Sequence, residues 1–267
     1  MMKISSTLLF CLLLMCEVSS AQDKSLNQLV AKVLENERSA HNLPDHFAYT
    51  SREVSNRTGH HVWIEHVVDV ESGEYRRLVS IDGRPLSTQE QQTQDRRLAK
   101  AVAHADFARK QRENQKARAE WDATMKRMPQ AFRFFKIGMQ NGCTKLRFEP
   151  DPQFSPQNYR ERFYHVLEGT VSIKEPEDRF CAIEGQSSEP IEVIFGLLGK
   201  VQKGGHFRIV RTRLPDGSWH STLMQVHLNG RAMLVADISQ DVEVVLTDVH
   251  ELPEHLSAAD AALLTKP

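Results

Sequence analysis

Residues 61–86 read HVWIEHVVDVESGEYRRLVSIDGRPL. The first ten are rich in β-branched side chains: Val62, Ile64, Val67, Val68 and Val70, with Trp63 among them. Such residues suit a pleated, half-buried surface. Ser72-Gly73 then turns the chain, Tyr75 to Ile81 repeats the pattern, and Asp82-Gly83 turns it again. Strand runs joined by two-residue turns of this kind predict an antiparallel meander.

The same grammar extends in both directions. Phe47-Ala48-Tyr49-Thr50 opens an earlier strand. Strand patterns resume at 132–139 and 144–148, joined at Asn141-Gly142, and continue over 166–174, 179–187, 190–201, 204–214, 218–228, 231–238 and 242–251. The count is about ten strands. Two stretches are helical instead. Over 25–40, Leu26, Leu29, Val30, Val33 and Leu34 form one apolar stripe behind Ser25 as N-cap. Over 87–128, Ser87-Thr88-Gln89-Glu90 makes a capping-box signature. No Pro or Gly follows until Pro129. This second segment carries ten basic against six acidic residues and a thin stripe of Leu98, Val102, Phe107, Trp121, Met125 and Met128. It reads as one long charged helix or a pair, mostly solvated. A further short helix is expected near 158–165, and 257–267 as a short helix or a frayed tail. The predicted class is α+β: a large curled antiparallel sheet, or half-barrel, with covering helices.

Alternation assigns faces. Val62, Ile64, His66 and Val68 point one way; Trp63, Glu65, Val67 and Asp69 point the other. Phe132 and Phe134 oppose Phe135 and Ile137, and Phe207 and Ile209 oppose Val210. Strands apolar on both faces need two covers. The sheet therefore either packs completely or curls around an apolar concavity.

Several chemistries are excluded. The twelve histidines fall into no ligand spacing, and neither His-Glu-x-x-His nor Cys-x-x-Cys occurs. There is no nucleophile elbow, and Lys203-Gly204-Gly205-His206 lacks the ending of a phosphate loop. No nucleophile, base and oxyanion site assembles from any stretch, so the expectation is a non-enzymatic protein without metal or cofactor. A formal net charge of −1 argues against a nucleic-acid partner.

Residues 1–21 carry Lys3, an apolar run from Leu8 to Met15 and the small residues Ser19-Ser20-Ala21, the order of a cleavable secretory signal. The mature chain is expected to comprise a single domain over 22–256 and the tail 257–267. It is expected in the periplasm or outside the cell, close to membranes without spanning them. Lipid anchoring at Cys16 is the alternative, although Met15 stands where a lipoprotein box has a small residue. Cleavage leaves Cys143 and Cys181. An oxidising compartment invites their pairing. Strand 166–174 is expected to lie between the strands that carry them, which sets their Cα atoms ~10 Å apart, too far for a bridge. The spacing weighs against a bridge, and both the paired and the unpaired state stay open.

Tyr75 to Ser87, followed by Glu90-Gln91 and the charged helix, resembles a group of uncharacterised bacterial secreted proteins. Thr170 to Lys174, Phe180 to Glu184, Ile194 to Gly199 and Lys203 to Phe207 match the same group. That group is similar in fold to the periplasmic lipoprotein carriers and receptors of the LolA/LolB kind. The resemblance spans roughly 45–250. It implies a curled half-barrel, covered by helices, whose apolar cavity holds acyl chains, with 87–128 as an insertion able to gate the concavity. The expected function is binding or carriage of a lipid or a lipoprotein acyl chain. Phe47, Tyr49, Val62, Ile64, Phe132, Phe134, Leu146 and Phe148 would line the site, and Arg76 and Arg77 would meet head groups at its rim. A cell-envelope interaction module that uses 87–128 as its contact surface is the alternative.

Overall fold

The computed structural model describes residues 25–39, 46–105, 107–194, 198–232, 236–237 and 240–267. The expected leader and Cys16 lie outside the described residues. Helix α1 spans 25–39. Strands β1 (Phe47–Ser55), β2 (Trp63–Val70), β3 (Gly73–Ile81) and β4 (Arg84–Pro85) form the first meander. Helices α2 (Thr88–Ala103) and α3 (Phe107–Arg127) follow. Then come β5 (Phe132–Gln140), β6 (Cys143–Pro150), α4 (Tyr159–Tyr164), β7 (Leu167–Lys174) and β8 (Arg179–Ser187). The remaining elements are β9 (Ile191–Ile194), β10 (Leu198–Val201), β11 (His206–Arg213), β12 (Trp219–Leu228), β13 (Gly230–Ala232), β14 (Ala236–Asp237), β15 (Gln240–Glu251) and α5 (Ala258–Leu264).

Eleven strands make one antiparallel, unclosed sheet in the order β4-β3-β2-β1-β15-β12-β11-β8-β7-β6-β5. Two meanders are thus spliced where β1 pairs with β15, Ser51 opposite Leu246. The splice has a topological consequence: β4 and β5 are the two edges of the sheet, so α2 and α3 connect one edge to the other. Helices α2 and α3 thus link the two edges of the sheet. They are two helices, since α2 ends at His104, whose backbone N–H donates to Lys100.

A second sheet, β14-β13-β10-β9, differs from the expectation of single strands over 190–201 and 231–238. Each of those runs folds back on itself, Leu198 pairing with Ile194 and Ala232 with Ala236. Short apolar runs carry no period that separates one long strand from two short ones.

Side-chain parity follows the registers. On the inner face, Phe134, Phe148, Val171, Ile183, Ile209, Met224, Val244, Leu246, Tyr49, Val67 and Arg76 succeed one another from β5 to β3. Helix α1 lies on the β5–β8 half of this face, burying Leu26, Val30, Val33 and Leu34 against Phe132, Phe134, Leu146, Phe148, Val171 and Ile173. On the outer face, Val68, Val70 and Tyr75 pack under Leu98 of α2 and Ala261 of α5. The chain end forms α5, with Ser257 capping Asp260 N–H and Thr265 fully buried.

The two cysteines are paired, against the weight of flat-sheet spacing: Cys143 and Cys181 form a disulfide with their Cα atoms 6.8 Å apart. Strand β7 does lie between β6 and β8. However, Ser172 pairs with Ala182 while Ile173 pairs with Phe180, so Cys181 is the extra residue of a β-bulge. A bulge bends its strand and raises the local twist. That bend brings β8 closer to β6 than two flat strand spacings allow.

Candidate functional site

The inner face is only partly filled. Between the sheet and its covering helices lies a cavity of about 1100 Å³. Its floor is Phe148, Val171, Ile183, Phe207, Ile209 and Leu246 from β6, β7, β8, β11 and β15, and Val30 and Leu34 of α1 face them. Met125 at the end of α3, Met128 and Tyr164 of α4 complete the wall beside Phe132 and Phe134. The Phe132 ring anchors this end, with ring centroids 5.2 Å from Phe148 and 6.1 Å from Tyr164. Salt bridges hold the covering helices in place: Arg127–Glu161 and Arg160–Glu120, both 2.7 Å, tie α3 to α4.

Five of the eight predicted lining residues border this cavity: Phe47, Tyr49, Phe132, Phe134 and Phe148. Leu146 shares their face but is fully buried beneath the helices, outside the lining. Val62 and Ile64 do not line it. Ile64 has the parity of His66, whose ring bonds the Thr265 carbonyl oxygen behind the sheet. Neither arginine lies in the lining. Arg77 is buried on the outer face, donating to Thr265 Oγ1 at 3.1 Å and to Asp95 at 2.6 Å. Arg76 is on the inner face but is held by Glu65 at 2.9 Å and Glu74 at 3.0 Å. It belongs to a network around the buried carboxylates Glu53 and Glu65, in which Glu65 also pairs with the half-exposed Arg57, at 2.9 Å, and Arg57 with Glu53. This network closes the apolar face at its β1–β3 end.

Polar groups enter the cavity at two places. At the exposed end, Glu251, Glu254 and His255 stand with Asp69, Glu71 and His46, and the Phe47 ring meets His220 at 3.9 Å edge-on. Deeper, under the C-terminal turn of α1, Glu37 lies between Arg179 and Arg211. Arg211 also donates to the Trp219 carbonyl oxygen at 2.6 Å, and Phe180 N–H donates to Glu37 at 3.4 Å. Burial pulls the Arg211 guanidinium down from its ordinary value, against the opposing pull of Glu37. Burial pushes the Tyr164 hydroxyl up to about 12, with Glu161 adding to the shift. Burial likewise raises Tyr49 above its ordinary value, and Glu74 accepts its proton in a 3.1 Å hydrogen bond. Both phenols stay neutral at physiological pH.

Among the described residues, three buried polar atoms in the wall have no hydrogen-bond partner: His46 Nδ1, Tyr164 OH and Arg179 Nε. The last lies 3.2 Å from Glu37 but is not aligned to donate to it. Buried polar atoms are rarely left so. Among the described residues no group of three or more His, Cys, Asp or Glu is arranged to hold a metal ion, and no helix is long and apolar enough to cross a membrane.

Sequence reasoning missed Phe207, Ile209 and Leu246, as well as the Glu37–Arg179–Arg211 group. The parity of Phe207 and Ile209 is visible in the sequence. Only the pairing Ile183↔Ile209↔Met224 puts that parity on the inner face. Comparison with protein-family models, with curated proteins and with solved structures finds no match.

Proposed function

We propose that this protein is a non-enzymatic binding or carrier protein for a lipid or lipoprotein acyl chain, acting after export near a membrane. One observation carries the reading: the apolar cavity of about 1100 Å³ on the inner face of the sheet. Ligand pockets run to about 1,000 Å³ and bury most of a small ligand in apolar surroundings. An acyl chain in this cavity is stabilised by burial at roughly 25 cal/mol per Å² covered, with no directional partner required. The Cys143–Cys181 disulfide supports an oxidising compartment, in line with the leader-like residues 1–21. The strand and turn resemblance to the LolA/LolB-like half-barrels supports the same reading. In it, α3 serves as a cover through Met125.

The test is extraction of the purified protein and mass spectrometry of what it carries, together with titration by a fluorescent fatty acid. Co-purified lipid or saturable uptake is the expected result. A lipid-free protein that ignores the fatty acid would sink the reading.

A second reading, a cell-envelope interaction module, has one observation in its favour. Helix α2 spans 16 residues and buries only Leu98. Its exposed Arg96 and Lys100 suit an acidic partner. Charge reversal at both positions should then abolish crosslinking to that partner while the fold persists. Deletion of the segment is the wrong test, because it severs the link between β4 and β5.

A further inference from the structure

The buried group under the C-terminal turn of α1 carries a local charge imbalance within the proposed cavity. Arg179, Arg211 and Glu37 all border the cavity, with side chains only 17, 16 and 12% exposed. Two guanidiniums and one carboxylate leave one net positive charge. Glu37 is already shared: one oxygen faces Arg179 and accepts from Phe180 N–H, and the other accepts from Arg211. Arg211 spends a second donor on the Trp219 carbonyl oxygen. Arg179 Nε makes no aligned bond. The surplus charge is therefore shared by Arg179 and Arg211 around the single Glu37 carboxylate. A buried cation without a full partner is costly, and a bound anion removes that cost.

We infer that the cavity takes an amphiphile whose head carries one negative charge, with an acyl chain on the Phe148–Ile209–Leu246 floor and the head on Arg179 and Arg211. This rests on the acyl-binding reading above. The uncharged, thioether-linked head of a lipoprotein anchor does not supply such an anion. The carboxylates at the cavity mouth do not reverse the preference. Of the other carboxylates in the lining, Asp216, Glu251 and Glu254 are exposed to water, where their charges are screened; Asp69 and Glu71 are half-exposed at the open end, Glu71 within 3.8 Å of His46, whereas the Arg179–Arg211 group is desolvated.

The experiment is displacement of the neutral probe N-phenylnaphthylamine from the purified protein. Hexadecanoate, lysophosphatidylglycerol, hexadecanol and hexadecyltrimethylammonium are compared as competitors. At least one anion should bind about tenfold more tightly than the alcohol, since a charge-assisted hydrogen bond is worth that much. Which anion wins distinguishes a carboxylate from a phosphodiester head. Arg179→Gln should erase most of the preference, and Glu37→Gln, which adds one positive charge, should enlarge it. The second variant keeps the test open if the first does not fold. Equal displacement by alcohol and both anions overturns the inference and leaves acyl binding intact. So does a preference for the cation, or a preference that neither variant alters. If neither the probe nor any amphiphile binds, the acyl-binding reading fails and this inference fails with it.

Discussion

Gly169 and Gly185 face each other across β7 and β8, and neither has room for a side chain. A Cβ on Gly169 would stand 2.0 Å from the backbone oxygen of Glu184. Backbone cannot swing aside as a side chain does, so Gly169→Ala should lower stability by about 1–3 kcal/mol, the range for overpacking. Chemical denaturation measures this; an unchanged midpoint would contradict the close approach. Gly185 is different, because its nearest neighbour is the Phe207 ring at 2.7 Å, a group that can turn into the cavity. Gly185→Ala should therefore cost less stability than Gly169→Ala. Glu90 is the N3 residue of the α2 capping box. Its carboxylate is bound by Arg84, then by the backbone and hydroxyl of Ser87, which together hold its pKa down at about 2. A depressed folded value means stability present above the ordinary glutamate range near ~4.3, lost as pH falls toward the folded value. Capping of α2 should thus be constant from neutral pH to about 5 and fail only in stronger acid. Carbon NMR of the Glu90 carboxyl should give a midpoint near 2, and Arg84→Ala should move it upward. The capping box was legible in the sequence because Ser87 and Glu90 are three residues apart and interact locally. The approach of Gly169 to Glu184 was not, because it depends on which strands are neighbours.

At the scale of elements, the disulfide is the sharpest departure from the sequence reading. The order β6-β7-β8 was legible, and it argued against a bridge on flat-sheet spacing. One unpaired residue in β8 changes that geometry, and no alternation pattern marks where a bulge falls. The bond joins residues 38 apart in sequence. Closing a loop of that length restricts the unfolded chain, and a native disulfide typically contributes about 2–4 kcal/mol. The double variant Cys143→Ser, Cys181→Ser should lose that amount in denaturation without reductant, and reductant should then have no further effect. If wild type and variant unfold at the same midpoint, the bridge contributes nothing. The remaining elements divide by the same logic. Helix α1 was legible from its apolar stripe, the β5–β6 turn from Asn141-Gly142, whose φ values of 52° and 72° fit a primed hairpin turn. The role of α2 and α3 as the link between edges was not legible. It follows from the pairing of β1 with β15, residues nearly two hundred positions apart.

For the whole molecule, the decisive property is which face of the sheet turns inward. Alternation sorted Val62 and Ile64 from Trp63 and Glu65, yet it could not say which set faces the concavity. Curvature is set by all eleven strands together, so Phe47, Tyr49, Phe132, Phe134 and Phe148 reached the cavity while Val62 and Ile64 did not. Glu65 and Arg76 show the reverse case: charged residues on the inner face, satisfied by each other and by Glu53, Arg57 and Glu74. This inside–outside assignment makes a prediction that local structure alone does not. Ile209 stands on the cavity floor between Ile183 and Met224, beside open volume. A larger side chain there grows into the cavity instead of into packed neighbours. Ile209→Trp should therefore leave thermal unfolding within a few degrees of wild type while sharply weakening fatty-acid uptake. Ile64→Trp, of the same chemistry but of outer-face parity, should leave uptake unchanged. Binding titrations beside thermal scans on both variants read the two quantities separately. Equal loss of uptake in both would mean that the ligand does not occupy the concave face, and a collapse of stability at Ile209 alone would mean that the face is filled.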